Sequence, residues 1–90
     1  MLHISFYFRR TNITFEEMET TVDDFVDKVC RELALVRAEA DITPQRVYKQ
    51  TKINVGRVER HKSDITLATL SKLCECYGIS VKDFFLRLQQ

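Results

Sequence analysis

Between positions 44 and 62 the chain carries six bases, Arg46, Lys49, Lys52, Arg57, Arg60 and Lys62, and one acid, Glu59, a net of +5. Bases at that density suit a polyanion, because each Lys or Arg that neutralises a phosphate releases a condensed counterion. The stretch 16–41 has the opposite sign, with nine acids against three bases and a net of −6. The overall charge of +1 conceals these two poles. A charge run also fits a solvated helix face, so the poles alone leave both readings open.

Bond-making chemistry is poorly represented. No nucleophile, base and orienting group occur at a recognisable spacing, and Gly56 and Gly78 are the only glycines, too few for a phosphate-cradling loop. No enzyme and no cofactor are expected. The metal-ligating candidates are Cys30, Cys74, Cys76, His3 and His61. Cys74 and Cys76, two apart on a helix, point to different faces, so no metal site is expected. An odd number of cysteines fits reduced thiols and a cytoplasmic setting. No apolar run approaches the ~20 residues that span a bilayer, and the first residues lack the basic head and cleavage site of a secretory signal. No membrane partner is expected.

Ninety residues hold one core, and two glycines with one proline leave most of the chain free to be helical. Apolar residues at 22, 25, 26, 29, 33 and 36, completed by Ala40, follow the 3.6-residue period of a first long helix. Thr21 with Asp24 three residues on resembles a capping box and predicts its start. Thr43 before Pro44 opens a second helix, with Val47 and Tyr48 inward and an end near Gln50 or Thr51. Ile53 and Asn54 form a tight turn. Asn54 caps a short third helix with Val55 and Val58 inward, running to about His61. Thr66 caps a fourth helix with the stripe Leu67, Leu70, Leu73, Cys74 and Tyr77, which Gly78 terminates under Ile79. Ser80 and Asp83 open a fifth helix containing Phe84, Phe85, Leu86 and Leu88. The fold class is all-α, five helices over residues 21–90.

Residues 1–20 stand apart as an amino-terminal extension. Leu2, Ile4, Phe6 and Phe8 alternate with polar or aromatic neighbours at the period of a strand, and one strand alone is unstable. The segment reads either as a strand paired with a second subunit or as a tail, including leader sequence ahead of a start at Met18. Leu86 and Leu88 extend the apolar character of the carboxy terminus and predict a dimer contact there.

Two short helices joined by a tight turn, set among longer ones and carrying the positive pole, have the layout of a helix-turn-helix domain. The segments Leu33-Ala34-Leu35-Val36-Arg37, Ile42-Thr43, Val55 through Lys62, Leu67-Ala68-Thr69-Leu70, Tyr77-Gly78-Ile79-Ser80 and Asp83-Phe84-Phe85 resemble, in that order, the Xre family of lambda-repressor-like helix-turn-helix regulators. The resemblance covers about residues 30 to 86 and implies a DNA-binding domain. It also implies that Arg37, late in the first helix, pairs with Glu59, late in the recognition helix. A lone acid beside Val55 and Val58 in a basic segment is well explained by such a bidentate partner, so Glu59 is structural.

The interval between Arg37 and Glu59 is about three residues shorter than the family's, and the missing residues align with the first turn of the recognition helix. A variant branch with a shortened turn is similar in its Gly-Arg-hydrophobic-Glu segment, here Gly56 to Glu59. Pro44 occupies the place of the family's phosphate-touching glutamine, and Gln45 follows it. Arg57 matches a recognition-helix position that reads bases, where an arginine clamps guanine O6 and N7. Arg46, Lys49, Arg60 and Lys62 fit phosphate contacts, Asn54 fits a phosphate or an adenine edge, and Thr43 and Gln45 complete the expected DNA-binding set. Gly56 in mid-helix predicts a close neighbour, either a helix or the DNA backbone.

Double-stranded DNA is thus the expected partner and a homodimer the expected state, since one short recognition helix reads too few bases. The function expected is sequence-specific transcriptional regulation. The alternative is a protein-interaction or antitoxin-like module, with a possible protein partner, whose DNA reading is reduced or lost.

Overall fold

The computed structural model describes residues 14–60 and 65–89. Among them five helices and no strand occur: α1 (Phe15–Glu39), α2 (Pro44–Thr51), α3 (Val55–Glu59), α4 (Leu67–Tyr77) and α5 (Val81–Leu88). The alternating stretch Leu2 to Phe8 lies outside the described residues. So do His61 and Lys62.

α1 begins at Phe15, six residues ahead of the expected start near Thr21. Its cap is a complete capping box: Thr14 Oγ1 accepts from the Glu17 amide at 3.0 Å, and the Thr14 amide donates to Glu17 Oε1 at 2.8 Å. Thr21 is inside the helix, where its hydroxyl donates to the Glu17 carbonyl at 3.0 Å. A threonine whose hydroxyl bonds one turn back is not available as a cap. The other four starts are capped by Thr43, Asn54, Thr66 and Ser80, each accepting from a backbone amide three residues on. Lys52, in the left-handed region at φ 65°, ends α2 and turns the chain into Ile53-Asn54. Gly78 ends α4 at φ 78°, and the Ile79 amide closes the turn onto the Cys74 carbonyl at 3.0 Å.

The core gathers Val29, Cys30, Leu33 and Val36 of α1, Val47 of α2, Val55 and Val58 of α3, Leu70, Leu73, Cys74 and Tyr77 of α4, and Phe84 and Leu88 of α5. α1 packs on α3, α4 and α5, α2 on α3 and α4, and α4 on α5. Burial pushes the thiols of Cys30 and Cys74 up from their ordinary value, which keeps them protonated and unreactive.

Several apolar residues leave the expected core. Val22 and Phe25 lie on the α1 stripe but are about half exposed, and Phe25 only borders Leu67 and Leu70 of α4 and Phe85 of α5 across a cavity of about 130 Å³. Leu67, at the mouth of α4, is 79% exposed. Leu88 is buried, so of the expected carboxy-terminal contact pair only Leu86 faces out.

The Tyr77 hydroxyl is buried with no hydrogen-bond partner among the described residues, and burial pushes its pKa well up. An unpaired buried hydroxyl costs its desolvation, so Tyr77→Phe is expected to leave stability unchanged or raise it by about 1 kcal/mol. A urea titration checks this. A fall in the midpoint would mean that the hydroxyl is bonded.

Candidate nucleic-acid interface

α2 and α3 carry the candidate site, and their orientation is set from below by Val47, Val55 and Val58 in the core. Arg37 of α1 locks α3 to the body of the domain. Its Nε donates to Glu59 Oε2 at 2.7 Å and its Nη2 to Glu59 Oε1 at 3.1 Å, while Nη1 donates to the Ile42 carbonyl at 2.8 Å. One guanidinium therefore fixes both the end of α3 and the loop that leads into α2. The hydrogen bond to Glu59 holds the Arg37 pKa above its ordinary value. The electrostatic consequence lies on the outer surface: the one acid of the basic segment is turned inward and neutralised. Arg46, Lys49, Lys52, Arg57 and Arg60 remain exposed and form no ion pair with any described residue.

A shallow cleft of about 500 Å³ between the starts of α2 and α3 is lined by Pro44, Gln45, Tyr48, Asn54 and Val55. It brings together Gln45 and Asn54, which sequence spacing had only placed on consecutive helices. Thr43 is exposed, with its oxygen accepting from the Arg46 amide at 3.2 Å and its proton free to donate. Lys49 lies one turn beyond Gln45 on the same side of α2, and Arg46 lies around the helix from that row. On α3, Arg57 and Arg60 are three apart and both exposed.

Asn54 Oδ1 accepts from the Arg57 amide at 3.3 Å. Bidentate reading of adenine needs the carboxamide oxygen as well as the nitrogen, so the cap leaves Asn54 an Nδ2 donor suited to phosphate. Tyr48 is not a core residue. It is 52% exposed beside the cleft, with the Lys52 ammonium 5.6 Å from its ring centroid. Neither Tyr48 nor Lys52 was among the expected contact residues. The signal available in the sequence was their four-residue spacing, which puts the two side chains on one helix face.

α3 has five residues, so it is about 7.5 Å long. The helix ends at Glu59 rather than near His61, and Arg60 is its C-cap. No neighbouring helix crowds Gly56. A β-carbon there would meet the Arg60 Nη1 atom at 3.3 Å and Asn54 Oδ1 at 3.4 Å. Both are ends of flexible side chains that can yield, so Gly56→Ala is expected to stabilise the domain by about 0.5–1 kcal/mol through helix propensity. Thermal melting checks this, and a lowered melting temperature would show that the Arg60 guanidinium is held in place over Gly56.

Arg87 of α5 collects acids of α1. It donates to Glu32 at 2.6 Å and to both carboxylate oxygens of Glu39 at 2.9 Å. These hydrogen bonds raise the Arg87 pKa, and Arg87 lowers that of Glu39. One guanidinium thereby offsets one of the two carboxylate charges of Glu32 and Glu39. Asp27 also pairs with Arg31 one turn on. No described helix is long and apolar enough to cross a membrane.

Curated proteins and solved structures yielded no match to this chain. A family model describing the Cro/C1-type HTH DNA-binding domain does match, over residues 32–87. That span starts inside α1, takes in Arg37, the α2–turn–α3 unit and Glu59, and closes one residue before the end of α5. The chain belongs to the Cro/C1-type helix-turn-helix DNA-binding domain family.

Proposed function

We propose that the chain is a dimeric, sequence-specific transcriptional regulator that lays the α2–α3 face on duplex DNA. The observation that carries this reading is the inward turn of Glu59 onto Arg37, which leaves five exposed bases and no exposed acid on α2, the turn and α3. Arg57 is the base reader, since Val55 and Val58 hold the inner side of α3 and Arg57 projects away from them. Thr43, Gln45, Arg46, Lys49, Asn54 and Arg60 contact phosphate, as does Lys62 beyond α3. Tyr48 and Lys52 join this face.

With about five charged phosphate contacts, from Arg46, Lys49, Lys52, Arg60 and Lys62, the logarithm of duplex affinity is expected to fall with the logarithm of salt at a slope of about −4 to −5. Lys49→Ala should weaken all duplex sequences alike and flatten that slope by roughly one unit. Fluorescence anisotropy over a salt series measures both. Salt-independent affinity, or no duplex binding at low salt, would remove the reading. The brevity of α3 favours a second one, a protein-interaction or antitoxin-like module, in which the family's fold persists and base reading is reduced.

A further inference from the structure

Pro44, Tyr48 and Lys52 are spaced four residues apart and form one row along α2 and its cap. Val47 takes the core position beside Tyr48, which leaves the tyrosine ring 52% exposed. The ring lines the cleft of about 500 Å³ between the starts of α2 and α3, together with the apolar Pro44 and Val55 and the carboxamides of Gln45 and Asn54. The Asn54 oxygen is committed to the Arg57 amide at 3.3 Å, so that side chain offers its Nδ2 donor outward. The surrounding helices expose Arg46, Lys49, Lys52, Arg57 and Arg60 and no acid, and the Lys52 ammonium stands 5.6 Å from the Tyr48 ring centroid. An apolar patch ringed by bases calls for an apolar group carried on a polyanion. In the major groove of duplex DNA that group is the 5-methyl of thymine, since the other three bases present only hydrogen-bonding groups and ring C–H there.

We propose that the cleft takes the methyl edge of a thymine, with Tyr48 as the side chain that touches it, so that α2 adds a second specificity contact to that of Arg57. This rests on the DNA reading of the α2–α3 face. The order of groups in the cleft matches the order of groups in the nucleotide. Pyrimidine C5 lies on the side of the major-groove edge nearest its own strand, so its methyl sits beside that strand's sugar and phosphate. Gln45 and Asn54 hold the backbone, while Pro44, Tyr48 and Val55 meet the methyl. The cleft is larger than a methyl group because the adjoining sugar and phosphate enter with it. The length of α3 gives the contact its importance: five residues, two of them in the core, leave few side chains on that helix to read bases.

Uracil replacement tests this, because it removes the methyl and leaves every hydrogen-bonding group of the base pair in place. Selection from a random duplex pool with the full chain supplies the preferred site, and fluorescence anisotropy at one salt concentration then compares it with duplexes in which each thymine is replaced in turn. At one position per half-site the parent chain is expected to lose affinity about fourfold, the equivalent of burying one methyl group. Tyr48→Ala should bind those two duplexes equally. Tyr48→Phe should keep the fourfold ratio, because the ring and not the hydroxyl makes the contact. Neither substitution removes a charge, so both should keep the salt slope of the parent, unlike Lys49→Ala. Thermal melting checks that both variants fold, as expected for an exposed position.

A selected site at which no uracil replacement matters would overturn the inference and leave the DNA reading standing. So would a uracil effect that persists undiminished in Tyr48→Ala, which assigns the methyl to another side chain. Loss of the ratio in Tyr48→Phe would assign the contact to the hydroxyl and overturn the apolar one. Absence of duplex binding at low salt removes the DNA reading itself, and is seen before any uracil is introduced.

Discussion

Glu59→Ala is expected to lower the melting temperature by about 10–20 °C, corresponding to about 2–3 kcal/mol in a domain of this size. The substitution removes both acceptors of the Arg37 guanidinium, at 2.7 and 3.1 Å, and leaves a charge that is only 20% exposed facing the underside of α3. Full burial would make the loss about 3–5 kcal/mol. Residual contact with solvent at both partners reduces it. α3 has little else to hold it: five residues, two of them in the core, and a cap from Asn54. Glu75→Ala, on the exposed side of α4, is the control, and is expected within about 0.5 kcal/mol of the parent. Equal melting temperatures for the two variants would show that the pair does not hold α3. Arg37→Ala should cost at least as much, because the Ile42 carbonyl loses its donor as well.

Arg57→Ala is expected to relax preference at one base pair per half-site by ~1–3 kcal/mol, whereas Arg60→Ala should weaken specific and nonspecific duplexes together. The distinction is geometric. Arg57 projects from the body of α3 opposite the inward pair Val55 and Val58, while Arg60 is the C-cap residue, its guanidinium folded back beside Gly56. The brevity of α3 concentrates base reading on Arg57, and the engagement of Asn54 Oδ1 in capping removes a bidentate competitor for that role. Both duplex types must be measured at one salt concentration, since backbone affinity changes steeply with salt. A uniform loss across sequences for Arg57→Ala would mean that α3 does not enter the groove, and would favour the protein-interaction reading.

The local sequence determined where four of the five helices begin, because a cap is a contact between residues three apart. Thr43, Asn54, Thr66 and Ser80 each sit at their helix starts, and Gly78 at the end of α4, in agreement with the sequence. The same local logic misplaced the start of α1. Thr14 with Glu17 and Thr21 with Asp24 are similar patterns, and the choice between them turned on whether the turns from Phe15 onward were helical. The Arg37–Glu59 contact was legible as an isolated acid in a basic segment together with a family resemblance.

Tertiary structure alone decided which apolar residues are covered. Val22 and Val29 occupy the same stripe of α1, but one is bare and the other buried, since burial depends on which other helices lie alongside. Val47 and Tyr48 are adjacent in sequence and separate into core and surface for the same reason. Arg87 meeting Glu32 and Glu39 lies equally beyond local reading, because the partners are 55 and 48 residues apart. Periodicity assigns a face to a residue. Only the packing of distant helices determines whether that face is core, an ion-pair site or open surface.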